Sequence, residues 1–156
     1  MRGEDSLIEL LNEVLTAELT SINQYFVDAK MLDNWGYERL AHHFREESID
    51  EMKDADELIE RILYLDGVPN LQRLGTVRVG ETVPEKLQLA LTLETESIQR
   101  LNTGIASALA GGDNGTRDLL EKVLEGEEEH ADWLETQLEL ISQVGDAHYL
   151  AQQIRD

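Results

Sequence analysis

The residues that interrupt helices are concentrated in the middle of this chain. Both prolines, Pro69 and Pro84, lie within residues 66–84 together with three glycines. Because proline and glycine disfavour helix interiors, this stretch is the one long loop that the sequence predicts. The pattern predicts four long helices and a short terminal one, separated by this loop and by shorter glycine breaks, at residues 5–34, 37–65, 84–110, 116–144 and 146–154.

Helices of this length favour an elongated bundle. A helix of about 30 residues is about 45 Å long, which suits a four-helix bundle better than a compact globin-like fold. The short breaks at Gly36 and Gly111–Gly115 predict antiparallel neighbours, and the 66–84 loop is long enough to return along the bundle. We therefore expect an all-α fold: two antiparallel hairpins with a long crossover, plus a short fifth C-terminal helix, in a single domain spanning residues 1–156.

The composition excludes several classes of function. The 156 residues include 33 acidic and 13 basic side chains, for a net charge of −20. Nucleic acids and anionic membranes bind basic surfaces, so cations are the natural partners of this chain. The absence of cysteine excludes disulfides, thiolate metal sites and thiol nucleophiles. No signal sequence or membrane-length apolar run is recognisable, and we expect a cytoplasmic protein.

Four glutamates occupy positions where the helical pattern calls for apolar residues. Apolar residues lie four and seven positions away from each of them, on the stripe that faces the core. A buried carboxylate without a partner costs several kcal/mol, and too few basic residues lie near these stripes to neutralise four of them. A metal cluster explains the pattern best. The four residues, one in each long helix, are Glu18, Glu51, Glu94 and Glu127.

The spacing of these glutamates sharpens the prediction. Within each hairpin the two glutamates are 33 residues apart. The second is followed three residues later by another potential ligand, Asp54 in the first hairpin and His130 in the second. Residues at positions i and i+3 share a helix face, and glutamates with Glu-x-x-His pairs are typical of di-iron bundle proteins. The alternative is that these acids are solvated, but the matched spacing favours the metal centre.

Several longer stretches are more specific than any single short motif: LTAELTSINQYF at 15–26, EESIDEMK at 46–53, ERILYLDGVPNLQRLG at 60–75 and EEEHADWLETQLELI at 127–141. Through them the chain resembles the bacterioferritins along essentially its whole length. The resemblance implies iron(II) oxidation by oxygen or peroxide at an intra-subunit di-iron site. It also implies iron storage as mineral in a hollow 24-subunit shell, haem b between paired subunits, and a ferredoxin-type reductant that releases iron.

The resemblance also implies roles for individual residues. One of the family's two histidine ligands corresponds to position 54, where this chain has an aspartate. The implied metal ligands are Glu18 and Glu94 as terminal ligands, Glu51 and Glu127 as bridges, and His130, with Asp54 in the place of the missing histidine.

A second departure accompanies the first. The family usually has aspartate at position 126, facing the histidine at 54, and this chain has Gly126. Asp50, the matching residue of the first hairpin, is expected to orient His130 by accepting its free ring N–H. Asp54 has no N–H to donate, so the two changes are consistent with each other. An extra carboxylate gives the site more negative charge than two Fe(II) ions neutralise, and we expect metal binding with slower oxidation.

Two further residues are implied to act at cofactors. Tyr25 lies on the same stripe as Glu18 and resembles the family's nearby tyrosine, a hydrogen-bond donor or electron source; the alternative is a core tyrosine. Met52 follows Glu51 and so points to a side face, where the family's methionine ligates haem. The alternative is a soft methionine at a dimer contact. The residues expected to line the haem slot are Leu19, Ile22, Asn23 and Phe26.

The remaining histidines and tryptophans carry weaker signals. His42 and His43 are expected at the surface, and Trp35 and Trp133 in the packing. His148 corresponds to a position that lines a fourfold channel in the family.

Three functions remain open at this point. The first is iron storage with ferroxidase activity. The second is a structural or haem-binding shell subunit that relies on a catalytic subunit of another type in a mixed cage. The third, a rubrerythrin-type peroxidase, is disfavoured by the absence of cysteine and by Met52.

Overall fold

A computed structural model describes residues 2–156, and α-helices account for most of them. Helix α1 packs most extensively against α2, and α3 against α4, so that two hairpins form a four-helix bundle. The predicted all-α fold is confirmed. The helices are α1 (Asp5–Trp35), α2 (Glu38–Tyr64), α3 (Val83–Ala110), α4 (Asn114–Val144) and α5 (Asp146–Ala151).

Local signals set the ends of the helices. Gly36 ends α1 in the left-handed region, at φ 92°, where a side chain would be strained. The side chains of Thr82 and Asp113 cap α3 and α4 by accepting hydrogen bonds from backbone N–H groups three residues on, at 3.2 and 3.0 Å. The four long helices agree with the predicted bounds within two residues, whereas α5 ends at Ala151, three residues early.

The crossover between α2 and α3 runs along α1. Three α1 side chains accept hydrogen bonds from its backbone N–H groups: Asn12 at 2.8 Å, Thr20 at 2.9 Å and Gln24 at 3.1 Å. Gly75 makes the close approach possible, because a Cβ there would lie 3.0 Å from the Thr20 hydroxyl. The long return that the sequence predicts is therefore fixed to the bundle by polar side chains.

Two apolar clusters form the core, one towards each end of the bundle. One includes Leu11, Leu58, Leu101 and Leu120, and the other includes Leu32, Phe44, Leu87 and Leu134. The buried glutamates of the long helices lie between these clusters along the chain. Among residues 2–156, none of the helices has the length and apolar character needed to cross a membrane.

Candidate metal centre

Each long helix brings one buried glutamate to the middle of the bundle. Their exposed fractions range from 0 to 4%, for Glu18, Glu51, Glu94 and Glu127. Five of their carboxylate oxygens have no hydrogen-bond partner within residues 2–156. Because unpaired buried carboxylates are strongly destabilising, these oxygens indicate a place for cations.

One half of the centre contains carboxylates only. Glu18, Glu51, Asp54 and Glu127 each offer an oxygen, and these oxygens lie within 4.8 Å of one another. Asp54 is half-buried, whereas the three glutamates are buried. The α1–α2 hairpin thus supplies three of the four side chains of this group, with Glu127 reaching across from α4.

The other half is built around Glu94 and His130. The His130 Nδ1 lies 2.9 Å from Oε1 of Glu94, and the Tyr25 hydroxyl donates a hydrogen bond to the same oxygen. Tyr25 is fully buried, and its ring packs against those of Phe44 and His130. This half therefore offers a nitrogen ligand beside carboxylates, and Tyr25 contacts one of those carboxylates directly.

The pKa values of the carboxyl groups also differ between the two halves. Burial raises the pKa values of Glu18, Glu51 and Glu127 well above the ordinary value, and repulsion from neighbouring carboxylates adds to the rise. Burial also raises the pKa of Asp54 to about 7. For Glu94, the adjacent Glu127 carboxyl and the contacts with His130 and Tyr25 outweigh burial and leave its pKa below the ordinary value.

The residues of this arrangement fit divalent cations. Carboxylate oxygens with one imidazole nitrogen suit first-row cations such as Fe(II). Bound cations would pair the orphaned oxygens and remove the repulsion that holds the protons on these acids.

The structure corrects the prediction that Asp50 orients His130. The Asp50 side chain is exposed and lies 3.8 Å from Lys53. The Nε2 of His130 instead lies 3.0 Å from Nε2 of His43. The prediction failed because it assumed that the residue before a bridging glutamate faces the opposite hairpin, whereas at this point of α2 it faces solvent.

His43 and Glu47 contact His130 of this centre, and the sequence analysis did not identify them. Glu47 lies 3.5 Å from His130 Nδ1, and the His43 ring stacks on Trp133 with the ring centroids 3.4 Å apart. Burial and repulsion from His130 lower the pKa of His43 to about 3, so its ring is neutral at neutral pH. The expectation that His43 is a surface residue is wrong. The signal was present in the sequence, because positions 43 and 47 precede Glu51 at four-residue intervals on one helix face.

The remaining candidates lie outside this centre. Met52 and Phe26 are 57% and 53% exposed, so the face that carries them is open in the single chain. Trp133 packs against His43 as described, and Trp35 packs over the ammonium of the buried Lys86. The other predicted residues that lie at the surface or partly exposed are Leu19, Ile22, Asn23, His42 and His148.

Comparison with known proteins agrees with this architecture. Residues 8–144 match the model of the ferritin-like domain family. The chain is 49% identical over 152 residues to a bacterioferritin of Mycobacterium bovis, a match that covers 97% of this chain and 96% of the relative. It is 50% identical over 151 residues to a bacterioferritin of Streptomyces coelicolor, covering 97% and 90%. The chain belongs to the bacterioferritin family. The resemblance found in the sequence is confirmed.

Proposed function

We propose that this bacterioferritin stores iron and oxidises Fe(II) at the buried carboxylate centre. The observation that carries the proposal is the set of orphaned oxygens on four buried glutamates, one from each long helix. Four such acids are retained in a core only if cations pair with them when they ionise. Family membership makes iron the cation.

The two halves divide the ligands between two iron positions. In this proposal Glu18 and Asp54 would hold one ion, and Glu94 and His130 would hold the other. Glu51 and Glu127 would serve as ligands shared by both ions. Two adjacent ferrous ions let dioxygen or peroxide accept two electrons in one encounter, and Tyr25 keeps Glu94 oriented through its hydroxyl.

Asp54 makes this centre slower than one with a histidine at that position. The extra carboxylate adds negative charge to a half that already contains only carboxylates. A proton held on Asp54 competes with the metal for that oxygen near neutral pH, because burial places the pKa of Asp54 at about 7. The chain therefore binds Fe(II) but oxidises it slowly.

Anaerobic loading with Fe(II) followed by rapid mixing with oxygen tests this function. Oxidation is followed by ferric absorbance in the wild type and in the double variant Glu94→Gln/Glu127→Gln. The matched control is Glu128→Gln/Glu129→Gln, which changes exposed acids next to the site. We expect the buried variant to lose rapid oxidation and the control to keep it. Equal rates in all three proteins would contradict the proposal.

A shell role is the second candidate function. Met52 and Phe26 are exposed apolar side chains that a second copy of the chain, or haem between two copies, would cover. Here the chain would build a hollow 24-subunit cage, alone or with a more active subunit type. Sedimentation distinguishes a cage from a dimer, and haem absorbance that disappears in Met52→Leu supports ligation by the thioether. A dimer without haem would contradict this second role.

A further inference from the structure

The His43, Glu47 and His130 side chains meet beside the carboxylate centre. Each offers one ligand atom, and these atoms lie within 4.8 Å of one another. They come from α2 and α4, and His130 is the only one of the three that the proposed iron centre uses. We propose that these three residues form a third cation site for Fe(II) or a similar first-row divalent ion, next to the di-iron centre. The inference rests on the proposed function for its iron.

The distance between the two histidines suits a metal ion. Their Nε2 atoms lie 3.0 Å apart. With metal–nitrogen bonds of about 2.1 Å, two neighbouring ligands of an octahedral ion lie about 3.0 Å apart. Without a cation, only one of the two nitrogens can donate a proton to the other. A cation can therefore take the place of the shared proton at this distance between the two nitrogens.

The surroundings hold His43 in position for this role. Its ring is stacked on Trp133, with the planes 12° apart, and the edge of the ring meets Phe44. Two imidazole nitrogens and the Glu47 carboxylate form a mixed set that favours Fe(II), Co(II) or Zn(II) over Mg(II), which prefers oxygen ligands. The ligand set thus differs in kind from the carboxylate half of the di-iron centre.

The position of the site gives it a role in iron transfer. His43 and Trp133 line a cavity of about 610 Å³ that also includes His148 and Gln137. On its other side, His43 contacts His130, whose second nitrogen contacts Glu94. A neutral imidazole offers one lone pair, so His130 serves one of the two neighbouring cations at a time. The third site holds an ion on the way between the cavity and Glu94.

Cobalt provides the probe, since Co(II) is stable to oxygen and is located by anomalous diffraction. The test variant is His43→Gln/Glu47→Gln in the full chain. The control is His42→Gln/Glu46→Gln, the same residue types at the same spacing one position earlier on α2. Excess Mg(II) occupies exposed carboxylates during soaking. We expect cobalt density among His43, Glu47 and His130 in the wild type and the control, and none there in the test variant.

Two further variants test the third site separately from the proposed function. Glu94→Gln frees His130 from its neighbour, and we expect it to raise the cobalt occupancy at the third site. If the double variant does not fold, Glu47→Gln alone keeps the side-chain shape and is expected to lower that occupancy several-fold. Cobalt at the buried glutamates with none near His43 in the wild type would overturn the third site while leaving the proposed function standing. Absence of cobalt from the buried glutamates as well would overturn both.

Discussion

The two hairpins carry matched glutamates but differ in how those acids are neutralised. In the α1–α2 hairpin, Glu18 and Glu51 lie beside Asp54, and burial raises the pKa of all three. In the α3–α4 hairpin, burial also raises the pKa of Glu127, but Glu94 has a pKa below the ordinary value, because Glu127, His130 and Tyr25 lie against its carboxylate. The difference teaches that an imidazole and a phenol, together with a neighbouring carboxyl group, keep a buried carboxylate ionised, whereas the carboxylate-only half depends on a cation.

Replacing His130 by aspartate would break this comparison, and it has the largest expected effect. The variant makes both halves carboxylate-only and removes one of the groups that lower the pKa of Glu94. We expect Fe(II) oxidation to slow by about 100-fold, the upper end of the loss caused by disturbing the groups that orient metal ligands. Rapid mixing of the ferrous protein with oxygen measures the rate. An unchanged oxidation rate would show that His130 takes no part in the centre.

Making the first hairpin more like the second should have the opposite effect. The variant Asp54→His/Gly126→Asp supplies a second imidazole and restores the aspartate that the family usually has at position 126. A Cβ at position 126 meets nothing within 4 Å, so the substitution has room. We expect oxidation to become about 10-fold faster, since a neutral imidazole replaces an acid whose pKa is about 7. A rate at or below that of the wild type would refute the account of Asp54.

We expect Tyr25→Phe to have a smaller effect on oxidation, and this variant tests how the Tyr25 hydroxyl contributes to holding Glu94. The substitution keeps the ring that packs on Phe44 and His130 and removes only the hydroxyl that donates to Glu94. A hydrogen bond to a charged group is worth about 1.5–3 kcal/mol, so the metal-free protein should lose about that much stability in urea unfolding. Oxidation should slow several-fold. Identical stability would show that the hydroxyl contributes nothing to holding the carboxylate.

Gly126→Ala has the smallest expected effect and serves as the control for the double variant. Alanine favours the helix interior by about 0.5–1 kcal/mol relative to glycine, and its methyl group meets open space. We expect a slightly higher thermal midpoint with oxidation unchanged. A faster rate in this variant would mean that helix stiffness, rather than the new ligand set, explains the gain in the double variant.

Much of this molecule is predictable from sequence because its signals are local. Helix periodicity, glycine breaks and the apolar stripe fix the four long helices and the inward glutamates, and Glu18 or Glu127 needs no knowledge of its neighbours to be recognised. Contacts between helices are different. Lys86, near the start of α3, is 1% exposed and pairs at 2.9 Å with Asp28 of α1, a partner 58 residues away.

The same limit explains the errors at the metal centre. Asp50 was expected to contact His130 from a symmetry argument, but which residue reaches across depends on the rotation of α2 against α4. That rotation brings His43 to His130 and leaves Asp50 beside Lys53. Sequence spacing places His43 and Glu47 on the face of Glu51, but only the packed helices put them within reach of the second hairpin.

The central claim is that cations hold the buried glutamates in the core, and thermal unfolding at several pH values tests it most directly. In the metal-free protein these acids keep their protons when folded, apart from Glu94, whereas in the unfolded chain they ionise from about pH 4 upwards. The unfolded state then binds fewer protons, so stability should fall as the pH rises from about 4 through the Asp54 value of about 7.

We therefore predict that at pH 7 the metal-free wild type has a lower melting temperature than the variant Glu18→Gln/Glu51→Gln/Glu94→Gln/Glu127→Gln. At pH 5 the difference between the two melting temperatures should be smaller. Anaerobic Fe(II) at about 100 times its Kd should add about 2.7 kcal/mol per bound ion to the wild type and nothing to the variant. A wild type that is as stable as the variant at pH 7 and gains nothing from Fe(II) would contradict the account.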